Sequence, residues 1–326
     1  MPTPADAAFQ ALVAQGNRAR FTGDVETAEG AYRRALAMRP DNAPVKANLG
    51  LLLLSMGRYA EGWPLYEARR ALGGPDIPPP VGTPMWRGEA VAGKSLLIWP
   101  EQGFGDEIQM ARFAPVLRDM GARVTLACSP LLLRLFRSLK VGVASNAARP
   151  PKTNLCVMAM SLPGLLGATL EALPPAPYLR APAGPRRGGV GVVWKGNPEH
   201  PNDAARSLPS PEVLDPLCEV CELVDLQTPV GDFLDTAARI QGLDLVITVD
   251  TAMAHLAGAL GVPCWVMLPA HWTDWRWMRD RTDCAWYPSL RLYRQEAAGD
   301  WGPVVARMAA DLSGGEASAA TPHPGR

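Results

Sequence analysis

Just past Asp250, Thr251 and His255 stand at a spacing that can hold an anion, and Asp106 stands where it can take a proton. A near-continuous apolar run rich in β-branched residues, Leu243 to Val249, leads into Asp250-Thr251. Such a run marks a strand buried on both faces. The Ala- and Leu-rich stretch after Thr251 stops at Gly261 with Pro263 beyond, which marks a helix. A buried strand running straight into a helix aims backbone N–H groups at the crevice beyond the strand's carboxyl end, a place that favours anions and phosphates above all. Thr251 and His255, four residues apart, share one face of the first helical turn. A plainer role is open to the same residues: Asp250 or Thr251 caps the helix, and His255 is a satisfied core histidine.

The second chemical feature is Gly103-Phe104-Gly105-Asp106, set between a strand expected over Lys94–Pro100 and a helix expected over Asp106–Met120. A Gly-rich turn here invites dinucleotide binding, but Gln109 stands near the place of the third glycine. No acid ends the strand Arg123–Cys128 to meet a ribose, and Asp106 would repel a pyrophosphate at the helix start. At a strand's carboxyl end, Asp106 suits a general base that accepts a proton from an attacking hydroxyl. The helix N-terminus favours its ionised form. The alternative is that Asp106 only caps its helix.

The elements that must position these residues form an α/β chain with a helical preface. A 34-residue shift aligns Gly16 with Gly50, Gly23 with Gly57 and Tyr32 with Tyr66. That is the period of the tetratricopeptide helix–turn–helix, although Arg69 stands where a small residue is usual. Two such units over 1–72 bury too little to stand alone, so they are expected to dock on the rest of the chain, either as a cap or as a peptide-binding groove. A Pro/Gly-rich linker is expected over 73–94. Strands and helices then alternate in two halves, 95–183 and 184–312, separated by a second Pro/Gly-rich break. Alternation of this kind predicts parallel sheets in two Rossmann-like domains. The tail, 313–326, is small and polar and is expected to be disordered.

Bulk properties exclude several classes. Lys plus Arg equals Asp plus Glu, 32 each, so no global charge argues for nucleic acid or an anionic membrane. The start lacks a secretory signal, and the run Leu49–Leu54 is far shorter than the roughly 18 residues of a membrane span. A cytoplasmic protein is expected. Cys218 and Cys221 form an isolated CxxC without a second pair or a His at zinc spacing, so no metal site is expected.

Three segments together carry a family resemblance: Glu101 to Gln109, Gly191 to His200, and Asp250 to Gly258. They resemble the bacterial tetratricopeptide-containing glycosyltransferases, which are similar to the lipopolysaccharide heptosyltransferases and more distantly to the O-linked N-acetylglucosamine transferases. Asp274-Trp275-Arg276-Trp277, Trp286-Tyr287-Pro288 and Arg294-Gln295 also resemble the first group. The resemblance implies a GT-B fold, two Rossmann-like halves clasping a nucleotide-sugar, with inversion at the anomeric carbon and neither metal nor cofactor. It places the general base on Asp106, donor contacts on Asp250, Thr251 and His255, and a basic phosphate contact at Lys195. Metal-free stabilisation of a departing phosphate needs helix N–H groups and cations, and Arg206 is a further candidate. Arg206 follows the polar loop from Asn197 to Ala205, which is expected either to close over a donor, with Asn197 among the donor-binding residues, or to be a solvated surface loop. The turn residues Gly103, Gly105 and Gln109 complete the expected site. Trp275 and Trp277 are candidate stacking platforms, with core packing as the alternative. The expected activity is sugar transfer to a protein (a surface or flagellar subunit) or a saccharide. The alternative is a non-catalytic repeat scaffold with a degenerate transferase half.

Overall fold

The computed structural model describes residues 3–73, 78–80, 82–182, 184–228 and 230–314; linker residues 74–77 and 81 and the tail from 315 lie outside the described residues. Two units divide the chain. One runs through Pro78 and includes Pro163–Leu173 and His271–Asp280; the other holds Pro79–Leu162, Pro174–Ala270 and the chain from Arg281.

The first unit is built on two helical hairpins. Helix α1 (Pro4–Thr22) begins at a Thr3/Asp6 capping box and ends at Gly23, whose φ of 87° only glycine adopts readily. Asp24 caps α2 (Val25–Met38), Asn42 caps α3 (Ala43–Ser55), and α4 (Tyr59–Tyr66) closes the second hairpin. The 34-residue shift is a structural repeat: Tyr32 packs on Gly16 in one hairpin, and the backbone of Tyr66 packs on Gly50 in the other. The two later segments complete this unit. Trp63 donates to the Ala168 carbonyl at 3.2 Å and meets Trp275 edge-on at 5.2 Å. Arg279 donates to the Gly23 carbonyl at 3.1 Å. Segments 163–173 and 271–280 therefore belong to the helical unit, not to the α/β halves assigned to them from sequence. Arg69, the large residue at the usual small position, lies buried over the Tyr66 ring.

In the second unit the first sheet comprises β1 (Ser95–Trp99), β2 (Arg123–Cys128), β3 (Gly142–Ser145) and β4 (Leu155–Met158). All pairs are parallel, in the order β3-β2-β1-β4. Helices α5 (Phe104–Met110) and α6 (Phe113–Asp119) connect β1 to β2; α7 (Leu133–Phe136) follows β2, and a single turn, α8 (Leu162–Leu165), follows β4. Residues 84–86, expected in the linker, instead pair alongside β4, because Trp86 is buried and Cys156 exchanges hydrogen bonds with Pro84 and Trp86.

The second sheet comprises β5 (Val190–Val193), β6 (Leu223–Asp225), β7 (Leu245–Val249), β8 (Cys264–Leu268) and β9 (Leu290–Arg294). It too is wholly parallel, in the order β6-β5-β7-β8-β9. Its helices are α9 (Asp203–Arg206), α10 (Asp215–Cys218), α11 (Phe233–Ile240), α12 (Ala252–Leu260) and α13 (Gly302–Ser313). The chain is thus α/β, with two parallel sheets after a helical region. Among the described residues no helix is long and apolar enough to cross a membrane.

Prolines explain two departures from the expected helices. The single helix expected over Asp106–Met120 is α5 and α6, broken at Ala111-Arg112. Pro115 cannot donate to the carbonyl of Ala111, and its ring would clash there. Likewise Pro216 limits the expected Pro211–Val220 helix to a 3-10 turn followed by α10.

Candidate functional site

In the second sheet the chain runs from β5 outward to β6, then returns to place β7 on the other side of β5. The crevice beyond the carboxyl ends of β5 and β7 is therefore a topological switch point, the usual ligand position in open α/β sheets. β7 ends at Asp250, and Thr251 caps α12, its hydroxyl accepting from the Met253 N–H at 3.3 Å and meeting the Thr248 hydroxyl at 3.0 Å. From beyond β5, Arg206 reaches across and donates to the Asp250 carbonyl at 2.9 Å while pairing with Asp203 at 3.3 Å. The Asn197–Ala205 loop is folded back on the strand end: Ser207 accepts from the Gly196 N–H and donates to Asp203, both at 2.9 Å. Asn197 itself is exposed and closes a tight turn with the Glu199 N–H. Lys195 is exposed, its ammonium 4.4 Å from the Trp194 ring centre. Gln227, which sequence reasoning missed, clamps the same loop by accepting from the Lys195 N–H at 2.9 Å and donating to its carbonyl at 3.2 Å.

The first sheet brings the turn before α5, which carries Asp106, against the first turns of α12. After β1 the chain turns through Gln102, at the left-handed φ of 62°, and α5 begins at Gly103. Asp106 is half-buried, and its carboxylate accepts the Gly103 N–H at 3.0 Å. One residue earlier, α5 lies directly on α12. A Cβ on Gly105 would stand 2.7 Å from Cδ2 of His255 and 3.6 Å from Cα of Ala252, so only glycine permits this approach. Phe104 against Phe233 (5.1 Å between ring centres) and Arg134 against Asp232 and Asp235 (3.1 and 2.9 Å) hold the two halves together nearby.

His255 is 6% exposed, and its Nδ1 lies 3.0 Å from the Tyr287 hydroxyl. Tyr287 lies flat on α12 at Gly258, where any Cβ would collide with its ring. Behind it, Tyr178 donates to the Ile108 carbonyl at 2.8 Å, and Arg112, 2% exposed, donates to the Trp286 and Pro174 carbonyls. Burial holds both tyrosine hydroxyls protonated, that of Tyr287 well above its ordinary range. Sequence reasoning missed Arg112 and Tyr178 and noted Tyr287 only within the Trp286-Tyr287-Pro288 segment.

Burial also raises the Glu107 carboxyl, although the Ser129 hydroxyl and N–H both donate to it. Glu107 ties α5 to the end of β2, and Glu101 ties the end of β1 to the Met160 N–H after β4. Gln109 is fully buried, on the protein side of α5. Trp275 and Trp277 are 4% and 1% exposed in the helical unit, so the structure places neither as a stacking platform. Trp275 is instead core packing against Trp63 and Tyr59. Among the described residues no three His, Cys, Asp or Glu side chains gather in a metal-holding group.

Comparison with known proteins leaves the functional argument with these residues. No family model matches the chain. Its sequence is 26% identical, over 358 aligned positions, to Protein FlbA of Caulobacter vibrioides, covering 89% of this chain and 59% of FlbA. The chain thus spans about three-fifths of that relative's length. Two structures of the iron-containing dodecameric transferase TibC align weakly. One, a heptosyltransferase complex with ADP-D-β-D-heptose, has a TM-score of 0.46 and 10% identity, covering 69% of this chain and 76% of that one. The other, from enterotoxigenic E. coli, has a TM-score of 0.45 and 11% identity, covering 66% and 67%. A Thermobaculum terrenum O-GlcNAc transferase variant aligns over 96% of this chain and 93% of that one, at a TM-score of 0.26 and 12% identity.

Proposed function

We propose that the chain is an inverting, metal-independent glycosyltransferase that moves a sugar from a nucleotide-sugar to a protein or saccharide acceptor in the cytoplasm. One observation carries the reading: the seating of Gly105 on His255 and Ala252. It sets the turn that bears the Asp106 carboxylate beside the anion-favouring start of α12. A base and an anion pole at one crevice are what displacement of a nucleoside diphosphate requires. The acceptor hydroxyl loses its proton to Asp106 as its oxygen bonds to the anomeric carbon. The bond from that carbon to the diphosphate breaks on the opposite face, and its electron pair leaves on the phosphate oxygen. The α12 N–H groups, Arg206, Thr251 and His255 offset the developing charge, with Lys195 at the crevice mouth. A peptide acceptor has a groove available on the first repeat, lined by Ala8, Ala11, Leu12, Ala37 and Met38.

One contact favours the second reading, a non-catalytic scaffold: Asp106 already serves as a cap for the Gly103 N–H. The test is nucleotide release from UDP-, GDP-, ADP- and CMP-sugars, by wild type and by Asp106→Asn. The asparagine carboxamide oxygen still accepts from Gly103, so folding and donor affinity persist, while turnover falls about 10²–10⁴-fold. Turnover above about a tenth of wild type moves the base elsewhere. No release from any donor leaves the scaffold.

A further inference from the structure

We propose that Arg112 is a positioning residue that pins α5 to the second α/β half, so that the crevice keeps one arrangement with and without a ligand. The claim goes beyond the transferase reading, because it concerns how the halves are held whatever they bind. Arg112 stands at the break between α5 and α6, and its Nε donates back to the Gln109 carbonyl at 3.2 Å. That bond aims the fork away from its own helix. One terminal nitrogen donates to the Pro174 carbonyl at 3.2 Å and to the Trp286 carbonyl at 3.1 Å, and the other also donates to Trp286 at 3.1 Å. The rings of Tyr178, Trp286 and Tyr287 wall the guanidinium in, their centres 4.7, 5.1 and 4.8 Å from its carbon. All three rings come after Pro174, so the first half ends α5 in a buried cation that the rest of the chain wraps. A planar fork with five donors suits two carbonyls and three ring faces, where a lysine would bring only a point charge.

Two more contacts fasten the same helix. At its start Gly105 sits on His255 and Ala252, too close for any Cβ. Midway, the Ile108 carbonyl accepts the Tyr178 hydroxyl at 2.8 Å, and the Tyr178 and Leu179 N–H groups both donate to the Ala259 carbonyl on α12 at 3.0 Å. Gly105 and Arg112 lie about 10 Å apart along the helix. A helix held at both ends and in the middle has no free end to swing, so a hinge through one fastening must break the others. Parting them would wet Ile108, Trp286 and Tyr287, all of which are buried. The ion pairs of Arg134 with Asp232 and Asp235 are no substitute, because Arg134 is exposed, and exposed pairs contribute little and weaken with salt. Of the three fastenings, Arg112 is the one that joins the halves by several charge-assisted bonds from a single side chain.

Spin labels on the two halves of the full chain read the arrangement directly. Cys218, exposed on α10, labels the second half, and Leu131→Cys, at an exposed site after β2, labels the first. Cys221→Ser removes the neighbouring thiol, and the other four cysteines are buried. With Arg112 in place, pulsed dipolar spectroscopy is expected to give one narrow distance, unmoved by excess UDP, GDP, ADP or CMP. Arg112→Met deletes the fork and should add a second, longer distance, and Arg112→Lys, which keeps the charge without the fork, should do the same. A purely structural arginine would lower the melting temperature and leave the distance in the folded protein as it was, so variants that melt early yet keep the single distance overturn the proposal. A distance that is split with Arg112 in place, or that shifts when a nucleotide binds, overturns it as well. If Arg112→Met does not fold, Arg112→Lys and the distances with Arg112 in place still decide. One narrow distance, lost in Arg112→Lys, in a chain that binds none of the four nucleotides upholds the pin and sinks the transferase reading instead.

Discussion

Gly105→Ala puts the contact between the two α/β halves under direct test. The added methyl would stand 2.7 Å from Cδ2 of His255, where ordinary contact begins at 3.4 Å, so about 0.7 Å must be found. His255 cannot retreat freely: its far side is bonded to Tyr287 at 3.0 Å, and Tyr287 is pressed against Gly258. Either α5 lifts off α12 or the imidazole tilts away from its phenol. Overpacking of this kind costs about 1–3 kcal/mol. For an α/β unit of this size each kcal/mol is worth roughly 2–4 °C, so the melting temperature should fall by roughly 2–12 °C. Nucleotide affinity should fall with it, because both escapes disturb the imidazole. Gly103→Ala is the control, since its methyl would meet only an Asp106 oxygen at 3.7 Å and its φ of −89° suits any residue. Calorimetric melts and nucleotide titrations on both variants decide the matter. A Gly105→Ala protein equal to wild type in both measurements would mean that α5 and α12 do not touch, and the site would have to be redrawn.

Further predictions bear on the other parts of the site. His255→Ala should weaken nucleoside diphosphate binding by about 1–3 kcal/mol in calorimetric titration, and unchanged affinity would confine the histidine to the core. Thr251→Val removes a working cap, so it should lower the stability of the unliganded protein by about 0.5–2 kcal/mol as well as weakening the nucleotide; a loss of stability alone leaves Thr251 structural. Trp275→Ala should destabilise the helical unit by about 3–5 kcal/mol, seen in tryptophan fluorescence melts, with nucleotide affinity unchanged; weakened binding in a folded variant would restore the stacking role. Glu107, whose carboxyl is raised by burial, keeps its proton in the folded chain at pH values where the unfolded chain has lost it. Its contribution therefore makes stability fall as pH rises above 4.5, and the difference curve against Glu107→Gln should carry that slope; a flat difference rules out burial as the cause.

How much of this was legible in the sequence depends on how local the signal is. The β7-to-α12 passage is written in consecutive residues, an apolar β-branched run, a hydroxyl cap and a glycine stop, and its strand and helix fall where those residues imply. The 34-residue repeat is equally local and became two hairpins. Short elements were harder. β3 has a four-residue, half-exposed pattern with no alternation to mark it, and β9 sits among tryptophans whose crowding suggested a binding surface. Helix lengths were overread where Pro115 and Pro216 allowed only separate turns. Least legible were Arg112, Tyr178 and Tyr287. They come from three distant segments and meet only because α5 packs on α12 and the loops carrying Tyr178 and Tyr287 lie against α12, which no period or spacing records. Trp275 stayed open between two roles for the opposite reason: an indole looks the same in sequence whether it stacks on a base or on Trp63.

The plain and the functional readings of Thr251 and Asp106 turn out not to exclude each other, because a cap and an anion site draw on the same N–H groups. A cap that holds its N–H too well leaves nothing for a ligand, and a helix start with no cap at all is an unsatisfied end. Thr251 lies between these limits. Its bond from Met253 is long, at 3.3 Å, and its hydroxyl has a second partner at 3.0 Å in Thr248. When a phosphate oxygen takes the Met253 N–H, the hydroxyl keeps a partner and little is lost, while the stronger charge-assisted bond is gained. Asp106 cannot yield in the same way, since its carboxylate holds the Gly103 N–H at 3.0 Å in the turn that defines the start of α5. Its cap bond instead fixes where the carboxylate stands, which is what a base at a crevice needs before an acceptor arrives. In the proposed transferase the two caps would divide the work by their strength: the weak one would give up its proton donor to the leaving phosphate, and the firm one would aim the base.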